Sequence, residues 1–163
     1  MFGQTEIEIT RDDFESWLIE MDCALDRFYS SVPSALRSKL DLSKGSLDDL
    51  EDWLLKRYSS HEELLKPSEL ASLDGVSRYI GETFRRSLGG RWNIRLDDPK
   101  YAFYRIPELS DFGPTSTPVC PSSLATTTLS RRKGTFLSGI LANLEKRYAN
   151  SIQQRRSHLT LNN

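Results

Sequence analysis

Hydrophobic residues recur at helical spacing through the first half of this chain and switch to strand spacing across Gly89-Gly90. Between Thr10 and Val32, the residues Phe14, Trp17, Leu18, Met21, Leu25 and Phe28 stand three or four apart, which predicts one amphipathic helix over 10–32. Thr10 suits its N-cap, Asp12 and Asp13 suit the positive end of its dipole, and Pro33 stops it. A short helical turn is expected over 34–40. Ser46 is placed to cap a second helix over 47–59, with Leu47, Leu50, Trp53, Leu54 and Tyr58 inward. A short segment at 61–66 follows. Pro67 then fits the first turn of a longer helix reaching about Leu88, with Leu70, Leu73, Val76, Ile80, Phe84 and Leu88 as its core stripe. Gly75 and Gly81 lie inside that helix, each unfavourable by about 1 kcal/mol against Ala. Gly81 is expected to admit a neighbouring backbone.

Gly89-Gly90 ends the helix, because glycine takes the left-handed C-terminal conformation without a Cβ clash. The period then becomes two. Trp92, Ile94 and Leu96 alternate with Arg91, Asn93 and Arg95, and Asp97-Asp98-Pro99-Lys100 reads as a turn. The simplest pairing is a hairpin with Leu96 opposite Tyr101 and Ile94 opposite Phe103. That register gathers Trp92, Ile94, Leu96, Tyr101 and Phe103 on one face and Arg91, Asn93, Arg95, Ala102 and Tyr104 on the other. Residues 108–121 read as a surface loop. Over 122–130, Ser122 favours a helix and Thr126-Thr127-Thr128 a strand, with helix preferred. Arg131-Arg132-Lys133-Gly134 reads as a turn, 135–153 as the last helix, and the end from Gln154 as a polar, frayed tail. No internal repeat is visible. These elements predict an α+β fold, mostly α: a bundle of about five or six helices with one small β-hairpin at about 91–106, in a single domain over 1–153.

At 163 residues the chain can form a core without metals or disulfides, since a domain of this size buries roughly 70% of its unfolded surface. The net charge of −1 singles out no partner, but it hides an asymmetry: residues 1–66 balance to −7 and residues 131–163 to +6. The plain reading is two solvated helix faces of opposite sign, and the sharper one is an acidic docking face for a basic partner. Cys23, on the apolar side of its helix, and Cys120 show no CxxC spacing and read as free thiols. No leader-like segment or membrane-length apolar run is present, so the expectation is a soluble, cytoplasmic chain without membrane insertion.

Candidate chemistry is sparse. His61 and His158 have no ligand-spaced neighbours, no nucleophile elbow or phosphate-binding loop occurs, and no metal or cofactor is implied. Asp98-Pro99-Lys100 mimics the spacing of a metal nuclease but sits in a turn. Arg78, Glu82 and Arg86 stand four apart and predict an ion-pair ladder. A possible anion-binding face joins Arg91, Asn93, Arg95 and Tyr104, with Arg85 and Arg86 nearby, in loose imitation of single-strand binding surfaces. Asp48, Asp49, Glu51 and Asp52 favour their helix through its dipole, and they are also the candidate partner-binding acids.

The block Tyr79-Ile80-Gly81-Glu82-Thr83-Phe84 with Gly89-Gly90-Arg91-Trp92 resembles uncharacterised small bacterial proteins in which a Y-[IV]-G-E helix precedes a glycine and a Trp-bearing strand. Cys120-Pro121 and Arg131-Arg132-Lys133-Gly134-Thr135 extend the likeness, which covers roughly residues 47–145. Some of these proteins belong to toxin–immunity or conflict systems. The resemblance implies a non-catalytic interaction protein, in one form an immunity protein neutralising a basic toxin. The alternative is an accessory domain binding nucleic acid or a nucleotide through the Arg/Tyr face. A catalytic site assembled from dispersed residues and the oligomeric state are both left open.

Overall fold

In chain order the computed structural model, which describes residues 8–113 and 117–161, contains α1 (Arg11–Ile19), α2 (Met21–Ser31), α3 (Ser34–Arg37), α4 (Ser46–Arg57), α5 (His61–Leu64), a 3-10 turn (Pro67–Glu69), α6 (Leu70–Leu88), β1 (Arg91–Asn93), β2 (Glu108–Ser110), α7 (Pro121–Arg131) and α8 (Phe136–Leu161). The fold is α+β and mostly α, with a single two-stranded antiparallel sheet among the described residues. Its axis is α6. Ten of its residues are buried, and α2, α7 and α8 pack around it.

Two aromatic rings key α6 to its neighbours through its glycines. A Cβ on Gly75 would come within 2.6 Å of the Phe28 ring, and one on Gly81 within 2.1 Å of the Trp92 indole. The close approach at Gly81 is therefore to a side chain, not to the backbone the sequence suggests. Tyr79, between them, is fully buried. Its hydroxyl shares a 2.5 Å hydrogen bond with Ser46 Oγ and accepts from the Leu42 amide at 2.9 Å. Ser46 thus ties α4 to α6 rather than capping α4.

The expected helix over 10–32 divides at Glu20, whose ψ of 4° breaks the helical path. The break lets two apolar faces diverge. Trp17 on α1 meets Trp92 edge-on at 4.9 Å, while Phe28 on α2 fills the Gly75 socket. Thr10 does cap α1, in a reciprocal box with Asp13. Cys23 is exposed on α2 rather than apolar-facing, and Cys120 is buried. Both are free thiols.

The hairpin forms with a different second strand. Trp92 lies opposite Leu109 and Asn93 opposite Glu108. Residues 101–106 instead fold into turns in which Arg105 adopts φ 61°. Arg95 and Tyr104 meet only in an isolated bridge. Tyr101 explains this: its hydroxyl donates to the buried Glu108 carboxylate at 2.6 Å, which folds the connection back on itself. Leu109 also exchanges backbone hydrogen bonds with Val119 at 2.7 and 2.9 Å, so part of the expected 108–121 loop is ordered against the sheet. Trp92 and Ile94 are buried as expected, whereas Leu96, Tyr101 and Phe103 are half-buried.

Residues 121–131 are helical despite three threonines. Thr126 and Thr128 bond back to the carbonyls of Ser123 and Leu124 at 3.0 and 2.8 Å, which satisfies their hydroxyls within the helix. Helix α8 continues to Leu161, beyond the expected start of a frayed tail, because no Pro or Gly follows Gly139 to stop it. No described helix is long and apolar enough to cross a membrane.

Candidate functional site: an apolar groove beside α1 and α6

An open cavity of about 830 Å³ lies among α1, the start of α6, the start of α7 and the 102–107 connection. Its floor carries Phe14, Trp17, Trp92 and Ile94. Its rim carries Ile9, Leu65, Leu70 and Ile106, four of the seven large hydrophobic side chains that are exposed among the described residues. Leu70 is 59% exposed and belongs to this rim rather than to the α6 core stripe. Sites for small apolar ligands typically span about 300–1,000 Å³. The polar groups in the lining are Asp13, Asp74 and the hydroxyls of Ser77, Ser122, Ser123 and Thr126, with no Lys or Arg among them.

A buried network holds the floor in place. Arg78 is 2% exposed. Its guanidinium lies 4.0 Å from the Trp17 ring centroid, donates to Trp17 O at 2.7 Å and pairs with Asp74 at 2.8 Å. Asp74 Oδ1 accepts from Trp17 Nε1 at 2.7 Å, closing the circuit. The expected Arg78-Glu82-Arg86 ladder is absent, because Arg78 turns inward to this circuit. Glu82 instead takes both guanidinium arms of Arg85, at 2.9 and 2.8 Å, and accepts from Trp92 Nε1 at 2.7 Å. Burial works to raise the Glu82 carboxyl, but the Arg85 and Trp92 contacts outweigh it and hold the group below its ordinary range. Arg86 reaches the Asp41 carbonyl at 3.4 Å.

The four acids singled out on α4 have internal partners. Glu51 is fully buried, and its two carboxylate oxygens accept from the Gly134 and Leu137 amides at 2.8 and 3.0 Å, capping the start of α8. Asp48 accepts from Ser138 Oγ at 2.5 Å. Asp49 pairs with Lys39 at 3.0 Å and the exposed Asp52 with Lys56 at 2.7 Å.

The Arg/Tyr face is similarly engaged. Arg91 pairs with Asp111 at 2.6 Å. Arg95 stacks 4.7 Å above Tyr101, and Arg105 covers Tyr104 at 4.8 Å. Asn93 is half-buried opposite Glu108 in the sheet. His61 meets Ser130 and Glu62, and His158 lies exposed on α8. Asp98 accepts from the Lys100 amide at 2.9 Å, which is the turn that the sequence suggests.

A second buried cluster had no motif to announce it. Glu108 receives the Tyr101 hydroxyl, and burial together with that carboxylate pushes Tyr101 up to about 12. Nearby, Cys120 Sγ lies 3.3 Å from Ser122 Oγ, and burial pushes its thiol up, so it stays protonated at neutral pH. The arrangement supports packing rather than nucleophilic chemistry. Among the described residues, no three His, Cys, Asp or Glu side chains gather as metal ligands.

Comparison with protein-family models, with curated proteins and with solved structures returns no match.

Proposed function

We propose that this protein is a non-catalytic binding module whose working surface is the apolar groove, and that it takes an apolar segment of a partner protein there. The observation that carries this reading is the ring of Ile9, Leu65, Leu70 and Ile106 around the cavity. Exposed apolar patches rimmed by polar residues mark interaction sites, and a folded chain otherwise tends to cover such side chains. The resemblance of the Tyr79–Trp92 block adds a narrower form, an immunity protein whose partner is a toxin.

The test is partner capture from the native host in parallel with the wild-type chain and with Leu70→Asp. Leu70 is mostly exposed, so the substitution leaves the core intact. A specific partner should be retained by the wild type and weakened about tenfold or more by Leu70→Asp, in line with loss of an interface anchor. Equal retention by both proteins would remove the groove from the interface. Protection of cells against that partner's toxicity would establish the narrower form.

A further inference from the structure

Three cations on α8 are not used by the fold. The helix dipole favours basic side chains only in the last turn, but α8 runs on to Leu161, so Lys146 and Arg147 lie several turns inside it. Neither they nor Arg155 make an ion pair among the described residues, and all three are exposed. No Asp or Glu follows Glu145 in the sequence. Glu145 itself is one or two positions from Lys146 and Arg147, a spacing at which helical side chains do not face each other. Acids close to this stretch are taken. Glu145 pairs with Lys44 at 2.6 Å and accepts from Ser87 Oγ at 2.5 Å. Asp111, two residues before the Gly113 backbone that the Tyr148 ring meets, pairs with Arg91 at 2.6 Å.

The arrangement of these groups around the helix is ordered. Successive residues diverge by about 100°, so Lys146, Arg147 and Arg155 spread over about half of the circumference. Asn150 and Gln154 stand four apart on one face, between the directions of Lys146 and Arg147. Their amides are exposed and make no side-chain hydrogen bond among the described residues. That face lies opposite the stripe of Tyr148, Ile152 and Leu159. From Gln153 to Leu159 every residue is exposed, so this end of α8 is free of the core.

We propose that α8, from Lys146 onward, enters the major groove of duplex DNA, with Lys146, Arg147 and Arg155 on backbone phosphates and Asn150 and Gln154 towards the base edges. None of these residues lines the apolar groove, so the inference stands apart from the binding reading above. The major groove admits one α-helix, and amide side chains suit the donor and acceptor pattern of its base edges. Cations flanking the amides then meet the phosphates on either side. A lipid surface would take the opposite stripe, but Tyr148 is held against Gly113 and turns that stripe towards the body. An acidic protein surface would use the cations and give no role to the amides between them.

Fluorescence anisotropy of a labelled DNA duplex with the full chain tests this at about 50 mM salt, where phosphate contacts are strong. The wild type should bind, with an affinity that falls as salt rises. Lys146→Gln/Arg147→Gln/Arg155→Gln should weaken binding about tenfold or more and flatten the log–log salt dependence by about two to three units, as loss of three phosphate contacts requires. Gln suits a helix, and circular dichroism checks that helix content is kept. Lys133→Gln, just before α8 begins, should bind as the wild type does. Duplex RNA of the same sequence should bind at least about fivefold more weakly, because its major groove is too narrow for a helix.

Absence of salt-dependent DNA binding overturns the inference, as does equal binding by the triple variant, an equal loss in Lys133→Gln, or equal binding of duplex RNA. Binding to vesicles of phosphatidylserine and phosphatidylcholine, or to poly-glutamate, as tight as to DNA assigns the cations to a lipid or protein surface and overturns it as well. None of these outcomes bears on the groove.

Discussion

Trp92 abuts the bare backbone of Gly81, with Cη2 and Cζ2 of the indole 2.1 Å from where a Cβ would stand. The same indole donates to Glu82 at 2.7 Å, one residue along α6. The contact joins the sheet to the central helix and forms part of the groove floor.

Gly81→Ala should therefore destabilise the protein by about 1–3 kcal/mol, as overpacking does. Helix propensity alone would give a gain of about 1 kcal/mol, so the sign of the change is decisive. Denaturant midpoints measure it. Trp92→Leu in the Gly81→Ala background should cost less than the sum of the two single changes, because the methyl group would no longer meet an indole.

Glu51→Ala leaves the Gly134 and Leu137 amides without their carboxylate, and a loss of about 1–3 kcal/mol is expected. Asp52→Asn touches only an exposed i,i+4 pair and should stay within about 0.5 kcal/mol of the wild type. Thermal melts of the two variants that coincide would contradict the capping role of Glu51.

Acid should weaken the α6–β1 junction. The folded Glu82 carboxyl lies below its ordinary value of 4.5, so its contribution is present above that value and disappears as pH falls through the lower folded one. Glu82→Gln should lower stability at neutral pH and flatten this part of the acid limb. Parallel acid limbs in urea titrations of the two proteins would refute the assignment.

Alkali acts with the opposite sign. Tyr29 is pushed up to about 12 by burial and by neighbouring Tyr79, Asp26 and Glu82, and Tyr101 up to about 12 by burial and Glu108. Both prefer their neutral form when folded. Their contribution holds below the ordinary tyrosine value of 10.0 and is lost as pH rises towards about 12. Ultraviolet titration should show Tyr29→Phe and Tyr101→Phe each removing a late-ionising group, with the early ones unchanged.

The elements that carry a local signal were legible in the sequence. Thr10 with Asp13, the Gly89-Gly90 stop and the apolar stripe of α4 depend on neighbours within a turn or two, and they stand where the pattern puts them. The strand register was not legible, because it is set by Tyr101 reaching Glu108 and by Leu109 pairing with Val119. The inward turn of Arg78 was hidden for a similar reason. Spacing to Glu82 suggests a surface ladder, while Arg78 instead takes Asp74, four residues back on the same helix, and Trp17, which is placed by how α1 crosses α6. The groove was the least legible feature. Leu70 fits the helical stripe, and Ile9, Leu65 and Ile106 stand singly at element ends, so only the fold brings them together. A weak hint lay in Leu65 and Ile106, each an apolar residue close before a proline.

The Glu51 contact also sets a timetable. During synthesis its carboxylate leaves the ribosome 83 residues ahead of the Gly134 amide, an interval of roughly 4–17 s at about 5–20 residues per second. Throughout that interval the nascent α4 carries a charge whose burial has no counterpart yet. Its inner face must stay hydrated, or shielded by a chaperone, until Gly134 and Leu137 emerge. Closure of this core therefore comes well after α4 has been made, and a chain cut short before α8 begins would be an obvious substrate for proteolysis.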